Sequence, residues 1–236
     1  MLEETQVHWV TGLRPPALKG TGSDDVSRFR RYDMKIGIIG TGTVGRSLAT
    51  RLAEKGHEVL VSNSRGPESV VEVLGAAGAG VFAGTTDDAL ACDVVFLTVP
   101  WTAIREVLGS RGPSNGSILV DATNIFLRYP PDAVIDDLNG DTGSEIVARM
   151  VPDAHVVKAF NTVPFDILFA PLADGMRRVL FVAGDDERAV TVISDLIAEL
   201  GFRPVSLGTL ASAGPLMELG GPLSGLDLWT PAPDGR

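Results

Sequence analysis

Cysteine is almost missing from this sequence. Cys92 is the only one in 236 residues, so no disulfide can close within the chain, and a reducing, cytoplasmic setting is expected. Histidine is scarce as well. His8, His57 and His155 are too scattered to offer zinc-ligand spacing, so no metal is expected, and each reads as a surface or satisfied core residue. Only two tyrosines occur, Tyr32 and Tyr129, and no tyrosine–lysine acid pair is visible. Positive charge is in deficit, with 20 Lys and Arg against 30 Asp and Glu. The resulting net charge of −10 argues against nucleic acid, whose binding rests on neutralising phosphates. It leaves room for a local anion site built from a few arginines and helix N-termini. No apolar run is longer than a strand, which excludes a helical membrane span, and the N-terminus lacks the apolar stretch of a secretory signal.

The rest of the chain has an ordered pattern. Residues 1–33 are polar, carry "RPP" and "GTGSDD", and show no sustained period, so they read as a flexible leader. Met34 opens a more regular region, which leaves two origins for the leader: a start-site artefact or a loosely packed arm. From there apolar runs alternate with amphipathic stretches. "KIGIIG", "HEVLVSN", "GVFAG", "DVVFLTVP", "SILVDATN", "HVVKAFN", "RVLFVAG" and "RPVSLG" read as strands. "VGRSLATRLAEKG", "PESVVEVLGAAG", "TTDDALAC", "WTAIREVLG" and "DERAVTVISDLIAELG" read as helices. That alternation predicts an α/β fold, a doubly wound, mostly parallel sheet with helices on both faces. The acidic stretch from Pro130 to Gly143 is expected to be a mobile surface excursion, and Trp229 with the tail after it a disordered end.

Gly40-Thr41-Gly42-Thr43-Val44-Gly45 satisfies G-x-G-x-x-G between a strand and a helix, the context that makes the pattern a dinucleotide fingerprint of the Rossmann type. Gly40 permits the tight turn, Gly42 lets backbone approach a pyrophosphate, and Gly45 allows close helix–strand packing. The second strand ends in Ser62, Asn63, Ser64 and Arg65, where an NAD-binding chain would place a carboxylate for the ribose hydroxyls. Hydroxyls, an amide and a guanidinium there suit a 2′-phosphate instead, so NADP(H) is the expected cofactor. The bland alternative is a solvated turn whose arginine points at water. Val99, Pro100 and Trp101 end the fourth strand where the strand order should reverse, a position that borders the nicotinamide half. A helix-capping core aromatic is an equal reading of Trp101. Asp121 to Asn124 and Lys158 to Thr162 end the next two strands on the same edge, and Asn124, Ala159, Asn161 and Thr162 are natural walls for the nicotinamide. Lys158, Asp121 or an ordered water are the candidate proton donors for catalysis, and for Lys158 a structural role is as good a reading. No constellation of residues announces proton transfer.

From Met34 to about Leu228 the sequence resembles the coenzyme F420-dependent NADP oxidoreductase family. The stretches that carry the resemblance are "MKIGIIGTGTVGRSLATRLAEKGHEVLVSNSRGPES", "VVFLTVPW", "ILVDATN", "VVKAFNT", "VLFVAGDD" and "LGTLASAGPLMELGGPLSG". The resemblance implies NADP held by the glycine turn, Ser64 and Arg65, with nicotinamide near Pro100, Trp101 and Ala159 to Thr162. It implies an NADP-binding domain over residues 34–163 and a small C-terminal subdomain over 164–228, with a tail at 229–236 and a cleft for the second ligand between them. A homodimer is also implied. The reaction it implies is hydride transfer between NADPH and F420 or a related flavin-like acceptor, for which close placement of two rings matters more than a strong protein acid. Arg177, Arg178 and Arg203 are the candidate cations for the anionic tail of F420. Three other readings of the residues stand: an NADPH-dependent reductase of a small carbonyl or imine, a non-catalytic NADPH-binding regulatory protein, and an oxidoreductase whose acceptor is ferric iron or a quinone.

Overall fold

The computed structural model describes residues 34–75, 80–109 and 112–232. The leader 1–33, part of the alanine–glycine run and residues 233–236 lie outside the described residues. Short, mainly apolar runs, buried except at Leu60, form the first strands: β1 (Ile36–Ile39), β2 (Val59–Ser62), β4 (Val94–Leu97) and β5 (Ile118–Asp121) are all parallel. The edge strand β3 (Val81–Ala83) pairs with β2 and is less buried. Between them run α1 (Thr43–Glu54), α2 (Pro67–Leu74), α3 (Thr86–Leu90) and, after a single 3-10 turn at Trp101–Ala103, α4 (Ile104–Gly109). In α1 the buried face is Gly45, Leu48, Ala49 and Leu52, spaced at helical period.

The chain then adds a two-stranded hairpin, β6 (Phe126–Arg128) with β7 (Val134–Ile135), before α5 (Gly143–Met150) and β8 (His155–Ala159). β8 is parallel to β5, whereas β9 (Met176–Gly184) turns antiparallel to β8. α6 (Glu187–Glu199), β10 (Arg203–Ser206), α7 (Leu210–Met217) and β11 (Trp229–Pro231) complete the order. The main sheet runs β10-β9-β8-β5-β4-β1-β2-β3, with β11 alongside β9. β1 has β2 on one side and β4 on the other, so the order reverses between β1 and β4. One core cluster joins α1, α6 and Phe160, Val163 and Leu168 on one face of the sheet. A second joins α3, α4, α5 and α7. Helices therefore cover both faces, as the alternation predicts. The segment 164–228 contributes two strands to the same sheet and side chains to both clusters.

Two local expectations need correction, and two helices lie outside the expected elements. The acidic excursion 130–143 contains β7, and it is tied back where Trp101 Nε1 donates to Asp136 Oδ2 at 2.7 Å and Asp136 N donates to Ile125 O. Trp229–Pro231, expected to be disordered, pairs antiparallel with Met176–Arg178, because β9 is nine residues long and its first part extends past β8. α5 and α7 were not legible as helices. Gly214 and Pro215 lie inside α7 and lower its intrinsic propensity. Packing compensates: a Cβ on Gly214 would sit 2.9 Å from the Thr142 side chain, so glycine lets α7 close on the start of α5.

Candidate functional site

The glycine turn has three glycines with three different jobs. Gly40 has φ +116°, and a Cβ there would meet Thr98 O at 2.5 Å, so both conformation and space demand glycine. A Cβ on Gly45 would lie 2.1 Å from Gly40 O, which is the close approach of helix to strand. Gly42 differs from both. A Cβ on it would meet nothing within 4 Å, and its φ of −71° suits any residue. Within the protein itself, nothing demands glycine there. Space above an exposed glycine at the start of α1 is what an approaching pyrophosphate requires.

The helix starts add a second sign. Thr85, Thr142, Asp186 and Thr209 cap α3, α5, α6 and α7 with their own side chains. α1 and α2 begin instead on Gly42 and Gly66, without any side-chain cap. Their first N–H groups lack the usual acceptor, and these are the two helices that the sequence assigns to phosphates.

At the end of β2, Asn63 organises the turn. Its Oδ1 accepts from Arg65 N at 2.9 Å, and its Nδ2 donates to Thr41 Oγ1 and Ser69 Oγ, both at 3.3 Å. That amide links the glycine turn, the Arg65 backbone and the start of α2. Ser64 and Arg65 are exposed, and among the described residues the Arg65 guanidinium has no partner. Ser62 needs correction as a phosphate ligand. It is fully buried as the last residue of β2, its hydroxyl lacks a partner, and it acts through its carbonyl, which accepts from Gly40 N at 2.9 Å.

On the other side of β1, Thr98 Oγ1 donates to Ile39 O at 2.9 Å and braces the turn. Val99 is half-buried and Pro100 exposed, while Trp101 is 8% exposed and packs in the second core cluster. The core reading of Trp101 is therefore the better one, with its indole N–H spent on Asp136. Asn124 and Asn161 form a reciprocal pair: Asn124 Nδ2 donates to Asn161 O at 3.0 Å, and Asn161 Nδ2 donates to Asn124 Oδ1 at 3.2 Å and to Met217 O at 2.8 Å. Asn161 Oδ1 is buried without a partner. Phe160, at φ +65°, turns the chain off β8. Ala159, Asn161 and Thr162 are all buried, so of the expected walls only Asn124 reaches the surface.

The expected acids prove to be partners of one another. Lys158 Nζ donates to Asp121 Oδ2 at 3.1 Å and to Thr123 O at 2.8 Å, and both side chains are at most 1% exposed. Thr123 N and Oγ1 donate to Asp121 Oδ1, and Ser144 Oγ donates to Oδ2 at 2.6 Å. Burial alone raises the Asp121 pKa, but the Lys158 ammonium and these hydrogen bonds outweigh it and hold the carboxyl below its usual range. Neither group reaches solvent in this conformation, which corrects the reading of either as a free acid. The hydroxyls that complete the network, on Thr123 and Ser144, have no signature of their own in the sequence.

The exposed and half-exposed candidates form a track along the strand ends: Asn63 to Arg65 after β2, Thr41 to Val44 after β1, Val99 and Pro100 after β4, and Asn124 after β5. These four strands are consecutive neighbours, about 4.8 Å apart. The three arginines considered for an anionic tail lie elsewhere, on β9 and β10. Arg178 is excluded from that role, because it is buried with Nε 2.5 Å from Asp227 Oδ1 and Nη1 bonded to the carbonyls of Leu168 and Ala170. Among the described residues no group of three or more His, Cys, Asp or Glu is placed to hold a metal, and no helix is long and apolar enough to cross a membrane.

Comparison with known proteins agrees with this geometry. A family model described as NADP oxidoreductase coenzyme F420-dependent matches residues 35–125, from β1 past β5. The Metalloreductase STEAP3 of Rattus norvegicus is 32% identical over 180 residues, 76% of this chain and 35% of that protein. This chain therefore spans about a third of the length of the metalloreductases it matches. The F420-dependent NADP reductase of Methanothermobacter marburgensis is 29% identical over 199 residues, covering 76% of this chain and 86% of that one. The crystal structure of a hypothetical protein from Sinorhizobium meliloti matches with a TM-score of 0.76 at 40% identity, covering 84% of this chain and 96% of the other. The glycine turn, the basic end of β2 and these matches lead to one assignment: the region from β1 past β5, residues 35–125, belongs to the coenzyme F420-dependent NADP oxidoreductase family.

Proposed function

We propose that the protein is an NADP(H)-dependent oxidoreductase that passes a hydride between NADPH and coenzyme F420 or a related flavin-like acceptor. The observation that carries the cofactor half is the track along β2, β1, β4 and β5, with open space over Gly42 and an uncommitted Arg65 at its end. The residues fit the dinucleotide in order. Ser64 and Arg65 would take the 2′-phosphate, the start of α1 over Gly42 the pyrophosphate, and Val99, Pro100 and Asn124 the nicotinamide end. When bound, NADPH supplies the hydride. The chain's own contribution is to hold the adenosine end by charge, to hold the nicotinamide end against a braced wall, and to leave its outer face open to a second ring.

The paired burial of Lys158 and Asp121 removes the two side-chain acids that reduction of a small carbonyl or imine would draw on, and so favours a ring-to-ring transfer over a reduction that must take its proton from water. The second ring would stack against the same edge. The homodimer that the resemblance implies would complete the open side of the cleft, and sedimentation at micromolar concentration tests it.

The deciding experiment follows NADPH oxidation by absorbance with F420, FMN, ferric citrate and buffer alone as parallel acceptors. Turnover with F420 alone supports the proposal, and turnover with ferric citrate alone replaces F420 with a metal ion as acceptor. NADPH binding with no turnover sends the protein to the carbonyl, imine or regulatory readings. For the cofactor, Arg65→Asp should weaken NADPH and spare NADH. A charge-assisted phosphate contact is worth about 1.5–3 kcal/mol, or roughly ten- to a hundredfold in affinity. Equal losses for both nucleotides would sink the 2′-phosphate assignment.

A further inference from the structure

The buried polar groups behind the nicotinamide edge form one connected chain. It starts at Ser144 in the first turn of α5, passes to Asp121 on β5, and from there to Lys158 on β8. Lys158 also grips the Thr123 carbonyl, the residue before Asn124. Asn124 exchanges hydrogen bonds with Asn161, and Asn161 reaches the Met217 carbonyl at the end of α7. Two helices and two strand ends are thus fixed by side chains that have no exposed work to do. Asn124 alone among them stands on the surface track.

A fully buried ion pair is weak evidence for stability, since apolar replacements of both partners are often neutral or better. Its directional bonds have a different use. The ammonium bonds the Thr123 carbonyl at the point where the chain leaves β5, and so sets where Asn124 emerges. Resting on the NADP(H) reading above, we propose that Lys158 is a positioning residue, which through Thr123 and the Asn124–Asn161 pair holds the nicotinamide end of the cofactor and leaves the adenosine end untouched. The geometry separates the two ends. Asn63 to Arg65 lie beyond β1 and β4 from this network, and none of its bonds runs to them.

The test compares two probes on the full chain. Adenosine 2′,5′-bisphosphate reports the adenosine end alone, and NADPH reports both ends. Lys158→Met by itself would strand a buried carboxylate and lower stability, so the informative variant is the pair Lys158→Met with Asp121→Asn, which removes both charges. The melting temperature establishes that this variant is folded. The expected result is a bisphosphate Kd within about twofold of wild type and an NADPH Kd raised about tenfold, the scale of one or two lost hydrogen bonds. Energy transfer from tryptophan to the bound dihydronicotinamide should fall as well. With an acceptor that supports turnover, kcat should drop more than KM rises, by up to about a hundredfold if the ring is displaced by an ångström.

Equal shifts for the two probes, or no shift for either, would overturn the inference and leave the pair a purely structural one. A wild-type protein that binds neither probe overturns the NADP(H) reading, and this inference with it. Should the double variant fail to fold, Asn161→Ala carries the test, because it removes the buried partner of Asn124 without stranding a charge and leaves the exposed Asn124 in place. It must then show the selective NADPH loss, and an unchanged NADPH Kd refutes the proposal.

Discussion

Changing Gly42 and Gly45 to alanine separates what the fold needs from what the ligand needs. At Gly45 the new methyl would start 2.1 Å from Gly40 O and 2.7 Å from Thr98 Oγ1. A backbone carbonyl cannot swing aside as a side chain can, so α1 must lift from β1. Overpacking of this kind costs typically about 1–3 kcal/mol. The better helix propensity of alanine returns at most about 1 kcal/mol. For a chain of this size 1 kcal/mol moves the melting point by roughly 2–4 °C, so a drop of several degrees is within reach.

At Gly42 the same methyl meets nothing within 4 Å, and the backbone angles are ordinary. Alanine is a poorer N-cap than glycine, by a fraction of a kcal/mol on the capping scale. The entropy it removes from the unfolded chain is worth about 0.4–1 kcal/mol in the opposite direction. Stability should stay within about 0.5 kcal/mol of wild type. The methyl would, however, stand where a phosphate approaches the first N–H groups of α1. Losing one charge-assisted bond costs about 1.5–3 kcal/mol, roughly ten- to a hundredfold in NADPH Kd. Calorimetric melting and NADPH titration on both variants read the two effects. If Gly42→Ala binds NADPH as wild type does, no phosphate lies over that glycine and the binding track is wrong. If it melts as low as Gly45→Ala, its glycine is structural after all.

Two further outcomes concern titration. Asp121 has a folded pKa below its unfolded value, so the unfolded chain takes up a proton first as pH falls. Its contribution to stability is full above about pH 4 and is lost as the pH drops through the folded pKa. The acid limb of a melting-temperature profile should therefore flatten in the Lys158→Met, Asp121→Asn variant, and an unchanged limb would contradict the network. Burial, helped by Asp93 and Asp88 against Lys35, pushes the Cys92 thiol from 9.0 up to about 11. At pH 8 about one thiol in a thousand is ionised, so a thiol reagent should react only on unfolding, and rapid native labelling would refute the assignment. The same shift makes the folded state lose stability relative to the unfolded one as pH rises from about 9 toward 11.

The readable parts of the molecule were those where local chemistry and tertiary role agree. The runs "IGII" and "VVFL" are buried strands because nothing in them wants water, and the glycine turn announces itself because Gly40 and Gly45 answer steric demands of the fold while Gly42 leaves open space. Lys158 was harder. A charged residue in a strand pattern reads equally as an acid or as a scaffold, and only its distance to Asp121 and Thr123 decides. Ser62 and Arg65 looked alike as phosphate ligands. Register decides between them, since the last residue of β2 is still inside the sheet and Arg65 is beyond it. α7 and β11 were illegible for a different reason: Gly214, Pro215 and the C-terminal stretch around Trp229 carry poor local signals, and contacts distant in sequence override them.

The two helices that begin on bare glycine have a consequence for how the protein behaves before and after it meets its cofactor. Four of its helices arrive with their first turns already closed by threonine or aspartate, while α1 and α2 begin without a side-chain cap. A nucleotide that fills those places acts as the missing cap, and becomes part of the secondary structure as well as its cargo. Amide exchange at Val44, Gly45 and Ser69 should then slow when nucleotide is added, while the first turn of α6 keeps its rate. High sulfate or phosphate should imitate that protection, because any tetrahedral anion can finish a helix that the chain has left open.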